Sequence, residues 1–145
     1  MSASLITALA LLGTGLAQDP TPSSDWHPFS RNSGTVYLAD VAGMTTVDGA
    51  LRIHVARVPR NLPASDLTHG IDVYAFRCGA KQVRFLSTIE YGSSGVEVDR
   101  YEEDVDWERV VEDSNYGFLF EIVCNEKRSS QGSFPSIPAF ITQGR

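Results

Sequence analysis

Cysteine is almost missing from this chain of 145 residues: only Cys78 and Cys124 occur. Zinc sites and C-x-x-C redox pairs need ligands a few residues apart. Two cysteines so widely separated, with no companion ligand at zinc spacing, support neither chemistry. Histidine is equally sparse. His27, His54 and His69 lie far apart with no carboxylate or cysteine at ligand spacing, so each reads as a polar surface or turn residue rather than a metal ligand or base. Positive charge is in the minority, with 12 Lys plus Arg against 18 Asp plus Glu and a formal net charge of −6. An acidic chain repels phosphate backbones and anionic membrane surfaces, so nucleic acid is not expected as a partner. Nor does the mature chain contain the roughly 20 consecutive apolar residues that a transmembrane helix needs.

Catalytic signatures are missing as well. Ser87, Ser93 and Ser94 lack the Gly-x-Ser-x-Gly context of a nucleophile elbow, because Tyr91-Gly92-Ser93-Ser94-Gly95 reads as a turn without a strand-to-helix arrangement. No Gly-rich phosphate loop precedes a helix. The acidic run holds Asp99, Glu102, Glu103, Asp104 and Asp106, enough oxygen donors to suggest Ca²⁺. The EF-hand spacing and its turn glycine are absent, so a solvated acidic loop is the better reading. No catalytic residue, cofactor or metal site is assigned, and the expectation is a protein that is not an enzyme.

What is present begins with an uncharged apolar segment, Met1 to Ala17, ending in Gly15-Leu16-Ala17. Small residues stand at both positions that signal peptidase reads, and a polar, proline-containing stretch follows. Residues 1–17 are therefore expected to be a signal peptide cleaved near Ala17, and residues 18–25 a linker. No Lys or Arg stands near its start. No cysteine follows the cleavage point to carry a lipid anchor. Export accounts for the cysteines, since an even pair in an exported chain usually forms a disulfide. A Cys78–Cys124 bond would close a loop of about 45 residues, worth about 4 kcal/mol in the chain-entropy model.

The strand signals centre on Ile71 to Tyr91, two β-type runs around the turn Cys78-Gly79-Ala80-Lys81. In the second arm Val83, Phe85, Ser87, Ile89 and Tyr91 alternate with Gln82, Arg84, Leu86, Thr88 and Glu90, which predicts one core face and one wet face. In the first arm Tyr74 and Phe76 share a face with Asp72, opposite Ile71, Val73 and Ala75. Upstream, Trp26 opens the folded domain and Asn32-Ser33-Gly34 signals a turn before a β-run from Thr35 to Ala39. Thr45–Val47 and Leu51–Val58 flank Asp48-Gly49, a pair suited to the positive φ angles of a type I′ hairpin turn. Leu51, Ile53, Val55 and Arg57 alternate with Arg52, His54, Ala56 and Val58, the pattern of a strand with one wet face.

The connector from Pro59 to Gly70 has two prolines that forbid a central strand, and its length makes it a candidate contact surface. Val96 to Tyr101 is a shorter strand, after which Trp107 and Val110-Val111 are expected to return to the core. Ser114 to Cys124 is ambiguous. As a helix it aligns Tyr116, Leu119, Phe120, Val123 and Cys124 in one stripe with Asp113 or Ser114 as cap, whereas Gly117 and the β-rich composition from Phe118 to Val123 suit a strand. Residues 126–145, with two prolines and no sustained period, are expected to form a flexible tail, in which Phe134, Ile137, Phe140 and Ile141 are the residues able to dock.

The order Trp26, Gly34-Thr35-Val36-Tyr37-Leu38, Leu51 to Arg57, Tyr74-Ala75-Phe76-Arg77-Cys78, the basic strand from Lys81 to Ser87, Trp107 and the last segment to Cys124 resembles bacterial proteins similar to surface-adhesin protein E. The match covers Trp26 to Cys124, and its most specific part is Tyr74 to Cys78 together with the late Cys124. The resemblance implies an exported α+β domain over residues 26–125: an antiparallel sheet of about five or six strands packed by one C-terminal helix, with Cys78 and Cys124 joined. That makes helix the expected state of Ser114 to Cys124. Adhesin-like members bind host matrix or serum proteins and can pair as homodimers. This chain differs in lacking a lipobox cysteine, in its negative charge and in its C-terminal extension.

The resulting expectation is a non-enzymatic binding module of the cell envelope, periplasmic, surface-held or secreted. It would be adhesin-like and directed at an extracellular or envelope protein that no ligand-binding motif identifies. The alternatives are a periplasmic enzyme or enzyme inhibitor without a recognisable motif, and a structural envelope component. A deep pocket where His54 or His69 meets the acidic loop would favour the enzyme.

Overall fold

The computed structural model describes residues 23–145. The expected signal peptide and most of the expected linker lie outside the described residues. Eight strands precede two helices: β1 (Trp26–Arg31), β2 (Thr35–Asp40), β3 (Thr45–Val47), β4 (Ala50–Pro59), β5 (His69–Arg77), β6 (Gln82–Tyr91), β7 (Glu97–Glu102), β8 (Glu108–Arg109), α1 (Asn115–Asn125) and α2 (Ile137–Thr142). They form one antiparallel sheet in the order β1-β2-β4-β5-β6-β7, with β3 on β4 and β8 on β6. This is the expected α+β class. The expected hairpins are in place, and Asp48 and Gly49 both take positive φ (52° and 77°), as a type I′ turn demands.

Ser114 to Cys124 is helical. The Ser114 side chain accepts a hydrogen bond from the Gly117 amide at 3.1 Å, capping α1. Leu119, Ile122 and Val123 are buried in a core shared with Ala39, Ile53, Val55, Phe76 and Val83. Tertiary burial thus outweighs the β-rich local composition. Gly117, the residue that argues against a helix, is there for space: a Cβ would stand 2.6 Å from the Val111 carbonyl oxygen. The Cys78–Cys124 disulfide fastens the end of α1 to the turn after β5, with the two Cα atoms 5.6 Å apart.

Three local expectations are corrected. First, the second arm does not hold one alternation. The β5–β6 register shifts between Val73 and Tyr74, which pair with Ser87 and Phe85 and leave Leu86 as an extra residue. A bulge of this kind changes which face the following residues occupy. Val83 therefore belongs to the core under α1, whereas Tyr91 packs against the opposite core and Thr88 is the buried hydroxyl of the α1 face.

Second, residues 126–145 are not a free tail. Phe134 exchanges two backbone hydrogen bonds with Trp26 (2.9 and 3.0 Å), and α2 buries Ile137, Phe140 and Ile141 with Trp26, Val36, Leu38, Ala56 and Val58. The prolines do not prevent this, because one sits in the first turn of α2, where Pro is tolerated, and Ser136 caps that turn through the Ala139 amide. Docking also covers the Ala56–Val58 end of β4, so both faces there are buried and only the Arg52–His54 end is wet. Third, Val111 is exposed and Trp107 only half-buried, its ring lying 4.0 Å from the Arg77 guanidinium carbon.

Candidate functional site

The feature that stands apart from the packed sheet is its β7 edge. Gly92-Ser93-Ser94-Gly95 turns the chain into β7, with Gly95 at φ 78° and its amide bonded to the Gly92 carbonyl. The connector after β4 is tied to this turn by the Leu67 amide, which donates to the Ser93 carbonyl at 2.9 Å. β7 pairs with β6 on one side only, so its outer backbone groups have no strand partner among the described residues. Every residue of β7 is exposed. Val96 and Val98 are 64% and 68% exposed and Tyr101 45%, so three large apolar side chains lie in or beside an unpaired edge. A register shift near Tyr91 leaves Val98 as the extra residue.

The edge is also strongly acidic. Between Glu97 and Asp106 six carboxylates stand against one arginine. That arginine is engaged by its own strand, Arg100 Nε and Nη2 donating to the two oxygens of Glu97 at 2.8 and 2.9 Å. Asp104 takes a hydrogen bond from Arg84 on β6. Glu102, Glu103 and Asp106 have no salt-bridge partner among the described residues.

A polar network crosses the sheet through β4, β5 and β6. Arg57 on β4 donates from Nε to Asp72 Oδ2 on β5 at 2.8 Å and from Nη2 to Glu90 on β6. Thr88 donates to Asp72 as well. Gly70 makes room for this guanidinium, since a Cβ there would fall 2.4 Å from Arg57 Nη2. Burial alone would lower the Arg57 pKa, but its bonds to Asp72 and Glu90 prevail and raise it, so the cation is permanent. Burial, reinforced by the Asp72 charge, pushes the Tyr74 phenol upward and keeps it neutral. Most of the network's donors and acceptors are spent on one another, and Arg57 and Tyr74 also line a depression of about 390 Å³ with Tyr37 and Tyr116.

The structure separates the residues singled out from the sequence. Cys78 and Cys124 are joined, and no free cysteine occurs among the described residues. His27 Nε2 lies 2.9 Å from Asp25 Oδ2. His69 is not a surface or turn residue. It is buried at the start of β5 and stacked on Tyr91 with ring centroids 4.5 Å apart. His54 is exposed, in a half-open depression of about 610 Å³ also lined by Ser87, Glu102, Glu103 and Asp104. In register, His54 faces Val73, Val73 faces Ser87, and Ser87 faces Glu102. The His54 and Ser87 backbones are thus two strands apart, about 10 Å, with Val73 between them. In the connector, Asn61 and residues 63–65 are exposed, whereas His69 and Gly70 are buried in β5.

Val96, Val98 and Tyr101 are the site residues that reading the sequence missed. Their signal was the alternation of apolar and charged residues from Val96 to Glu102, which predicts a strand but not its place at an edge. No helix among the described residues is long and apolar enough to cross a membrane. Comparison with protein-family models, curated proteins and solved structures finds no match, and the resemblance to surface-adhesin protein E rests on the residues of this chain alone.

Proposed function

We propose that this chain is an exported, non-enzymatic binding module of the cell envelope, adhesin-like in engaging an extracellular or envelope protein, and that β7 is where the partner adds. The observation carrying this reading is the unpaired β7 edge with Val96, Val98 and Tyr101 exposed along it. An unprotected edge is a template for an incoming strand: main-chain hydrogen bonds supply affinity and alternate side chains supply selectivity. The six carboxylates between Glu97 and Asp106 select an extended partner segment that alternates apolar and basic residues.

A second copy fits the same edge only in particular registers. Two-fold antiparallel pairing sets a residue opposite itself, so centring on Asp99 or on Arg100 opposes like charges. Centring on Tyr101 instead sets Arg100 against Glu102 but Asp99 against Glu103.

The test is capture of matrix and envelope proteins by the immobilised domain, compared with a Val96→Ser, Val98→Ser, Tyr101→Ser variant. These side chains are largely exposed, so the thermal midpoint should fall by no more than several degrees. Retention of a defined partner that weakens at least tenfold in the variant is the expected result. No retained partner, or equal retention by the variant, overturns the reading.

A further inference from the structure

We propose that a second site, independent of the β7 edge, binds a small amphiphilic anion in the cleft between β1 and the segment that follows α1. The cleft has a volume of about 510 Å³, within the range of small-molecule sites. Phe29, Phe118 and Ile122 give it apolar wall, and Arg31, Lys127 and Arg128 line it with positive charge. Its lining contains no carboxylate.

What sets the cleft apart is that three cations line it together with no carboxylate among them. Among the described residues only Arg57, Arg84 and Arg100 of the twelve Lys and Arg pair with a carboxylate. Arg31, Lys127 and Arg128 do not: among the described residues none has a carboxylate within 4.0 Å. Arg31 donates to the neutral amide of Gln131 at 3.0 Å, and Arg128 to the carbonyls of Ile122 and Lys127 at 3.1 and 2.9 Å. These bonds fix the loop and neutralise nothing. Of the nearby acids, Glu126 does not line the cleft, and two others are engaged elsewhere. Glu121 accepts from Asn125, and Asp25 is held below the usual carboxylate range by hydrogen bonds from Ser133 and His27, with Arg128 a lesser influence.

Three cations around one cleft in a chain of net charge −6 make a local positive field that an anion relieves. Inorganic anions alone do not account for the apolar wall. Phe118 is 42% exposed although its neighbour Leu119 is buried, so an aromatic face is offered to whatever enters. Both halves fit a molecule with a carboxylate or sulfate head and an apolar body.

Dodecanoate below its micellar concentration is a direct probe, with amide chemical shifts and calorimetry as readouts. Saturable one-to-one binding should shift the amides of residues 29–31, 118–122 and 127–131. An Arg31→Gln, Lys127→Gln variant should bind at least tenfold more weakly, as should Phe118→Ser. Arg128 is left in place because it caps the α1 carbonyl of Ile122, whereas Phe118 is exposed enough to change without unfolding. Inorganic sulfate and uncharged dodecyl maltoside should each bind at least tenfold more weakly than dodecanoate. Absence of saturable binding, shifts confined to other surfaces, unchanged affinity in the variants, or equal binding of either control overturns the proposal.

Discussion

At the scale of single residues, His69 and Arg57 show how burial changes what a polar side chain does. His69 packs its ring on Tyr91 with Nδ1 2.7 Å from the Leu67 carbonyl. Burial lowers its pKa below 6.5, against the smaller opposing influences of the Leu67 carbonyl and Glu90. In the window between its folded value and 6.5, the unfolded chain binds the extra proton. The stability from a neutral His69 is therefore complete above pH 6.5 and lost as pH falls through 6.5 towards the folded pKa. Thermal unfolding at several pH values should show this loss in the wild type and not in His69→Phe. A wild-type curve parallel to that of the variant would exclude the linkage. His69 was not legible as a core residue because Pro63, Asp66 and Thr68 around it are turn chemistry, and only the pairing with Tyr91 takes it inside. Asp72 and Arg57 were each placed on the correct strand face, but nothing local says that those faces meet across β4 and β5.

At the scale of elements, α1 shows packing overruling propensity. In an isolated helix Gly117→Ala should gain about 1 kcal/mol. Here the added methyl meets the Val111 carbonyl oxygen at 2.6 Å, backbone that cannot swing aside as a flexible side chain would. The expected net effect is a destabilisation of about 1–3 kcal/mol, the usual cost of overpacking. Denaturant unfolding of Gly117→Ala measures it, and a stabilised variant would mean that residues 111–112 yield. α2 and the segment before it make the complementary case. They have no long period, so sequence pattern alone read them as a tail, yet Ile141 is fully buried. A six-residue helix is not stable by itself, and α2 exists because the Trp26–Val36–Leu38 surface receives it.

At the scale of the whole molecule, two covers hold one sheet from opposite faces, and a covalent link secures only one of them. The disulfide joins α1 to the β5–β6 turn across a sequence separation of 46. Replacing both Cys78 and Cys124 with Ala should cost about 4 kcal/mol by loop entropy. Equilibrium unfolding of wild type and variant in denaturant tests this, and alkylation of the wild-type thiols only after reduction checks that the bond is formed. A variant as stable as the wild type would show that packing of Leu119, Ile122 and Val123 holds α1 without the bond.

The sequence by itself determined six of the eight strands, β2 to β7 but not β1 or β8, the Asp48-Gly49 turn and the pairing potential of two lone cysteines. These follow from period-two alternation, backbone preference and residue chemistry, all of which act over a few residues or on composition. The tertiary structure alone decided which face Thr88 and Tyr91 occupy, because one bulge at Leu86 reverses every later side chain. It also decided the burial of α2, the exposure of the β7 edge, and the meeting of Arg31 with Lys127 and Arg128 around one cleft. Each depends on contacts between residues far apart in the chain, and no local pattern encodes which surfaces will meet.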